Sequence, residues 1–205
     1  MDHRAADPGR PPADPAASPD PEGERLNFRV ELDAFLALKR LEVPVIAAVR
    51  GPCVGAGFDL ACHCDMAVIA SDARFQVAYV KRGLFPDLGG FYSIPRKIGW
   101  PKAMELMTTG RFMDAQEAHA AGLSNYLVEP EHLEDRALRL ARDVEAGPPI
   151  GVKIAKLLAV RTMHMDFDSA LEWSATALPL VTLSQDRREG VASFLERREP
   201  RFDGR

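Results

Sequence analysis

Pro44-Val-Ile-Ala-Ala-Val-Arg-Gly51, then Pro52-Cys-Val-Gly-Ala-Gly57 and Phe58-Asp-Leu-Ala-Cys-His63, is the stretch whose reading decides the fold. Pro44 to Val49 is an uninterrupted apolar run, as in a strand buried on both faces, and Gly51-Pro52 ends it. Val54 to Gly57 is a turn that only a glycine-rich segment makes easily, and Phe58 to His63 has helical character. Asp65-Met-Ala-Val-Ile-Ala70 reads as a second strand, and Arg74-Phe-Gln-Val77 as a short extended piece. Strand, glycine turn, helix, strand at this spacing is a βαβ unit with parallel pairing.

On the amino-terminal side, Leu32, Phe35, Leu36 and Leu38 to Leu41 give a helical apolar face that stops before Pro44. From residue 88 onward the pattern is mainly helical. Trp100–Thr109 precedes Gly110, and a helix over 114–121 has Asp114 as N-cap and Gly122 as its stop. Asn125–Val128 is one more short strand. Glu131–Ala146 carries Leu133, Ala137, Leu140, Ala141 and Val144 at helical spacing, and Gly147-Pro148-Pro149 halts it. Two helices near 150–164 and 167–183 follow, then a charged one from about Gln185. The fold class is α/β: a small sheet followed by a helical back half, without an internal repeat.

Residues 1–23 differ. They hold Pro8, Pro11, Pro12, Pro15, Pro19 and Pro21, and beyond Met1 their only apolar side chains are alanines. Nothing large is available there to offset ordering entropy, so an extended, solvated tail is expected. The domain reading is a tail over 1–23, an α/β core over 24–146 and a helical region over 147–205.

Composition excludes several classes. Of 205 residues 46% are hydrophobic, enough for a core, and 26 Lys and Arg against 30 Asp and Glu leave a net charge of −4. That balance offers no general pull toward nucleic acid or an anionic membrane surface. No apolar run reaches the ~18 residues of a membrane span, and the first residues lack a signal peptide's apolar segment. Cys53, Cys62 and Cys64 are too few and too clustered for a disulfide framework. A cytoplasmic chain is the expectation.

The glycine turn is the main site signal. Its backbone N–H groups open a helix, where they favour negative charge, so the turn can form half of an oxyanion hole. By residue pattern alone it reads first as a tight turn, and a phosphate loop is not expected because neither Gly-Lys-Ser/Thr nor a third spaced glycine follows. Cys62-His63-Cys64 has a metal-like look, but adjacent residues on one helix point apart and no second pair exists, so ordinary packing and no metal are expected. Lys81-Arg82 is read as a solvated pair, although it could approach a phosphate. The Arg-rich stretch 187–205 alternates with Glu and reads as a solvated face.

Motifs in order carry a resemblance. Pro44 to Gly51, Gly55-Ala-Gly57, Asp59-Leu-Ala61 and Cys64-Asp65 come first. Ala73-Arg-Phe75, Gly83-Leu-Phe-Pro-Asp-Leu-Gly-Gly90, Ile94-Pro-Arg96, Ile98-Gly99, Ala103-Met-Glu-Leu106 and Ala121-Gly-Leu123 follow, and Asp186 to Gly190 with Phe194 to Arg197 closes the series. Together they resemble the enoyl-CoA hydratase/isomerase (crotonase) family over roughly residues 26–203.

The resemblance implies a spiral of ββα turns, assembled as homotrimers or homohexamers, that binds an acyl-CoA thioester. No separate cofactor is implied, since the substrate carries coenzyme A. It places one oxyanion N–H on Ala56, with Gly55, Gly57, Tyr79 and Phe85 around the substrate. Family hydratases carry one Glu where this chain has Asp59 and a second where it has Tyr79. Tyrosine, ionising at about pH 10, is a poor base at neutral pH. Asp87 stands where several of the family's double-bond isomerases look similar, with an Asp that shuttles protons; it reads alternatively as a helix N-cap. Isomerisation by Asp87 and Asp59 is therefore expected ahead of hydration. The family's opening hairpin, adenine loop and first oxyanion N–H are not matched by the 43 residues before Pro44, so an amino-terminally truncated domain is expected. A non-catalytic member acting only in assembly is the other reading.

Overall fold

A computed structural model describes residues 20–205, so most of the expected tail lies outside the described residues. Helix α1 (Pro21–Arg40) begins earlier than the sequence pattern indicates. Asp20 caps it by accepting a hydrogen bond from the Gly23 N–H at 3.1 Å, and Pro21 sits at the first position, where its missing N–H costs nothing. Residues 21–23 thus belong to the helix rather than to the tail.

The chain then winds in ββα turns. Strand β1 (Ile46–Val49) and strand β2 (Pro52–Val54) lead into helix α2 (Ala56–His63), and β3 (Met66–Ala70) and β4 (Arg74–Gln76) repeat the path. β1 pairs parallel with β3, and β2 parallel with β4. The sequence shows β1 but not β2. Gly51, at φ +62°, turns a corner that carries the chain from one sheet into the other. The next corner stacks on it: the Arg74 N–H donates to the Gly51 carbonyl at 2.9 Å.

A one-and-a-half-turn 3₁₀ segment (Ala78–Arg82) and a loop lead to α3 (Gly90–Ile98) and α4 (Trp100–Thr109). Strand β5 (Phe112–Asp114) adds antiparallel to β4, helix α5 (Ala115–Ala120) follows, and β6 (Tyr126–Val128) adds parallel to β3. The sheets therefore run β1-β3-β6 and β2-β4-β5. Asp114 ends β5 and caps α5 at once, accepting from the Glu117 N–H at 2.8 Å. After a 3₁₀ turn (Pro130–His132) come α6 (Leu133–Glu145), α7 (Pro149–Thr162), α8 (Phe167–Thr182) and α9 (Gln185–Glu196).

One core joins α2 to both sheets and to α3–α5, with Phe58, Phe75, Ile94, Leu106 and Met113 fully buried. A second packs Leu133 and Leu140 of α6 on Val68 and Ala70 of β3. Arg111 links α4 to α5, holding Glu117 with two guanidinium nitrogens and Glu105 with a third. The back half is different: Phe167, Leu171, Leu178, Leu180, Leu183, Phe194 and Leu195 are exposed.

The β2–α2 joint depends on Gly55, whose φ of +57° and ψ of −123° lie outside the range of a residue with a Cβ. Open space surrounds its Cα, so any cost of a methyl there is backbone strain. Gly55→Ala is expected to lower stability by ~1–3 kcal/mol. Gly57→Ala, at ordinary φ and also in open space, is expected to be neutral or slightly stabilising, both read from urea unfolding midpoints.

Candidate active site

Helix α2 presents its amino terminus to a groove of about 730 Å³ lined by Gly55, Ala56, Gly57, Tyr79, Arg50 and Arg82, among others. The N–H groups of Phe58 and Asp59 turn back to the Gly55 carbonyl at 2.9 and 3.0 Å. Those of Ala56 and Gly57, in the first turn, have no acceptor among the described residues. They are free to meet an oxygen that gains negative charge.

One turn into α2, Asp59 has no exposed surface at all. Its Oδ2 accepts from the Tyr79 hydroxyl at 2.8 Å, while Oδ1 has no hydrogen-bond partner among the described residues. Burial pushes the carboxyl up to about 6. The Tyr79 hydrogen bond works against that rise and the charge of Asp87 adds to it. The Gly90 N–H faces the group and favours its charged form, without reaching hydrogen-bonding geometry. Tyr79 is itself pushed far up, by burial first and then by the Asp59 charge, so it stays a phenol.

The loop 83–90 closes over this carboxyl. A Cβ on Gly90 would stand 2.1 Å from Asp59 Oδ1, so only glycine lets α3 start there. Gly89, at φ +90°, lies close on the His63 ring, where a Cβ would stand 2.9 Å from it. His63, one turn beyond Asp59, is buried, as the packing reading of Cys62-His63-Cys64 expects, but its contact with the loop 83–90 is not legible in the sequence. Its Nε2 lies 2.8 Å from the Leu88 carbonyl, which can only accept, so Nε2 carries the proton and Nδ1 is left without a partner. Burial holds its pKa below the ordinary value. A contact between a buried histidine and a glycine 26 residues downstream leaves no spacing signal in the sequence. Its neighbours Cys62 and Cys64 are buried as well, as packing requires.

The structure thus gathers Gly55, Ala56, Gly57 and Tyr79 on one groove and sets Asp59 behind Tyr79. Asp87 is half-buried in the loop that covers Asp59, near enough for its charge to act on Asp59 and Tyr79. It does not cap α3; Gly89 holds that position, with no side-chain hydrogen bond. Phe85 is not brought to the groove: its ring is exposed and packs on Phe91 at 6.4 Å, and Leu84 takes the lining position. Arg82, read from sequence as one of a solvated pair, lines the groove.

Because the folded Asp59 titrates near 6 instead of at 3.8, it costs the fold nothing well below 3.8, where both states are neutral. The cost grows as pH rises from about 3.8 to about 6 and is constant above that. Asp59→Asn is expected to gain stability over the parent by ~2–3 kcal/mol at pH 7.5 and by little at pH 4, measured by urea unfolding at both values; a gap that does not widen with pH would contradict this.

Comparison with known proteins agrees with the geometry. The sequence model for the family described as enoyl-CoA hydratase/isomerase matches residues 24–205. A crotonyl-CoA hydratase of Syntrophomonas wolfei is 36% identical over 168 residues, covering 82% of this chain and 65% of that protein. A 1,2-epoxyphenylacetyl-CoA isomerase of Escherichia coli is 35% identical over 191 residues, 91% of this chain and 73% of the relative. The chain therefore spans about two thirds of the length of such relatives. Among solved structures, an enoyl-CoA hydratase of Mycobacterium smegmatis superposes with a TM-score of 0.85 at 35% identity, over 91% of this chain and 72% of that one. An enoyl-CoA hydratase of Bacillus anthracis gives 0.87 at 31% identity, over 92% and 73%. With its two three-stranded sheets wound in ββα turns and its glycine turn opening onto the groove, this chain belongs to the enoyl-CoA hydratase/isomerase family.

Proposed function

We propose that the groove binds an acyl-CoA thioester and that the chain moves a carbon–carbon double bond along the acyl group. The observation that carries this reading is the set of carboxyls. Hydration requires two of them to orient and deprotonate water, and Tyr79 occupies the place of one. Relatives of similar identity bear hydratase and isomerase names alike, so the choice rests on the residues. Isomerisation needs a base that removes a proton at one carbon and an acid that delivers one at another, a task within reach of Asp87 and Asp59.

The Ala56 N–H, at the positive end of α2, stabilises the enolate oxygen formed when the proton leaves. Arg50 and Arg82 supply cations on the groove for the phosphates of coenzyme A. The exposed apolar side chains of α8 and α9 support self-association as a homotrimer or homohexamer, since patches of that kind are seldom left to water. Light scattering on the purified protein is expected to give a mass near three or six times 22.5 kDa; a monomer would count against assembly.

The decisive experiment is incubation with 3-enoyl- and 2-enoyl-CoA in D₂O, with products read by mass spectrometry. A shifted double bond with deuterium incorporated is expected, and Asp87→Ala is expected to slow it by ~10²-fold or more. Undiminished turnover in that variant would remove Asp87 from the reaction, and a hydrated product would reverse the preference for isomerisation.

A further inference from the structure

Asp59 cannot meet a substrate directly. It has no exposed surface, the groove is lined by Tyr79 in front of it, and the Gly89-Gly90 turn seals it behind. Its one hydrogen bond is the one donated by Tyr79. A carboxyl so enclosed takes part in proton transfer only through that phenol.

Resting on the reading of the groove as an acyl-CoA isomerase site, we propose that Tyr79 is a catalytic residue, the groove-facing end of a Tyr79–Asp59 proton relay. The phenol oxygen accepts the proton from C2 of the bound 3-enoyl thioester while the phenol's own proton passes to Asp59 Oδ2. The C2–H bond breaks, its electron pair becomes the dienolate, and the thioester oxygen takes the negative charge at Ala56. Asp87, having taken one proton from water before the turnover, delivers it to the far carbon C4 and is left as the carboxylate. Asp59 then releases to water the proton it received, so that one proton is taken up and one is given back. Tyr79 serves C2 because it shares the groove with Gly55, Ala56 and Gly57, where the thioester carbonyl binds, whereas Asp87 lies outside those lining residues.

The surroundings suit a relay better than a free phenolate. Tyr79 is faced by Asp59, Asp87 and Glu31 of α1, all of which disfavour its anion. Asp59 is faced by Asp87 and Tyr79 and by the Cys53 and Cys62 thiols, which burial keeps neutral. The only low-cost fate for a proton reaching Tyr79 is onward transfer of the phenol's own proton to Asp59.

The test uses the full chain. Tyr79→Phe keeps the ring and removes the relay oxygen. Exchange of the C2 proton of 3-enoyl-CoA with D₂O is expected to fall by ~10²-fold, while the affinity for a saturated acyl-CoA stays within about threefold of the parent. Asp59→Asn is expected to show the same loss, and the double variant to be no slower than either single one, because the two groups act as a unit. Losses that multiply in the double variant, or exchange undiminished in Tyr79→Phe, would overturn the relay and leave the isomerase reading standing. Parent protein that neither exchanges nor isomerises would overturn that reading and the relay together. Should Tyr79→Phe fail to fold, Asp59→Asn decides alone, and unimpaired exchange in it overturns the relay.

Discussion

A carboxyl group with no access to water sits where α2 meets α3, and much of the surrounding structure is arranged around its cost. Burying a charge in an apolar setting is expensive unless partners compensate. Asp59 has one partner, the Tyr79 hydroxyl, and is left with an unpartnered oxygen, so the cost appears as a raised pKa. The close approach that excludes water also dictates sequence. Gly90 has no room for a methyl beside Asp59 Oδ1, and Gly89 has none beside His63.

The glycine turn works in the opposite sense. Gly55 and Gly57 meet nothing within 4 Å, so these positions are small where the protein itself does not crowd them. Gly55 is explained by its positive φ; Gly57, at ordinary φ, has no such conformational reason. An empty space beside free N–H groups is what a ligand that must touch backbone would require. The two glycine pairs thus serve different ends, one packing helices and the other leaving a surface open.

Elements whose signal is local were legible in the sequence. The parallel pairing of β1 with β3, the α4 boundaries at Trp100 and Thr109 and the cap at Asp114 all follow from apolar runs, turn residues and short side-chain-to-backbone distances. Strand β2 was not legible, because Pro52-Cys-Val54 is short and lies against a corner made by Gly51. Nor was the early start of α1, where a single Asp20–Gly23 hydrogen bond and a proline suffice to begin a helix inside a proline-rich stretch. The candidate site was readable as a set of residues and not as an arrangement: Ala56, Asp59, Tyr79 and Asp87 could be named, while the exclusion of Phe85 from the groove could not.

By itself the sequence determined the β1–turn–α2–β3 unit and the helix that offers its N–H groups to the groove, since each rests on residues close together in the chain, while its ordered motifs carried the resemblance to the family. Only the tertiary structure decided that Asp59 is sealed and that Tyr79 lines the groove in front of it. That outcome depends on segments twenty or more residues apart, where the 3₁₀ turn bearing Tyr79 and the loop bearing Asp87 and Gly90 close on the same turn of α2. Burial and the direction of a hydrogen bond are properties of that closure, and they leave an aspartate expected to act directly with no exposed surface and a hydrogen bond donated by a tyrosine.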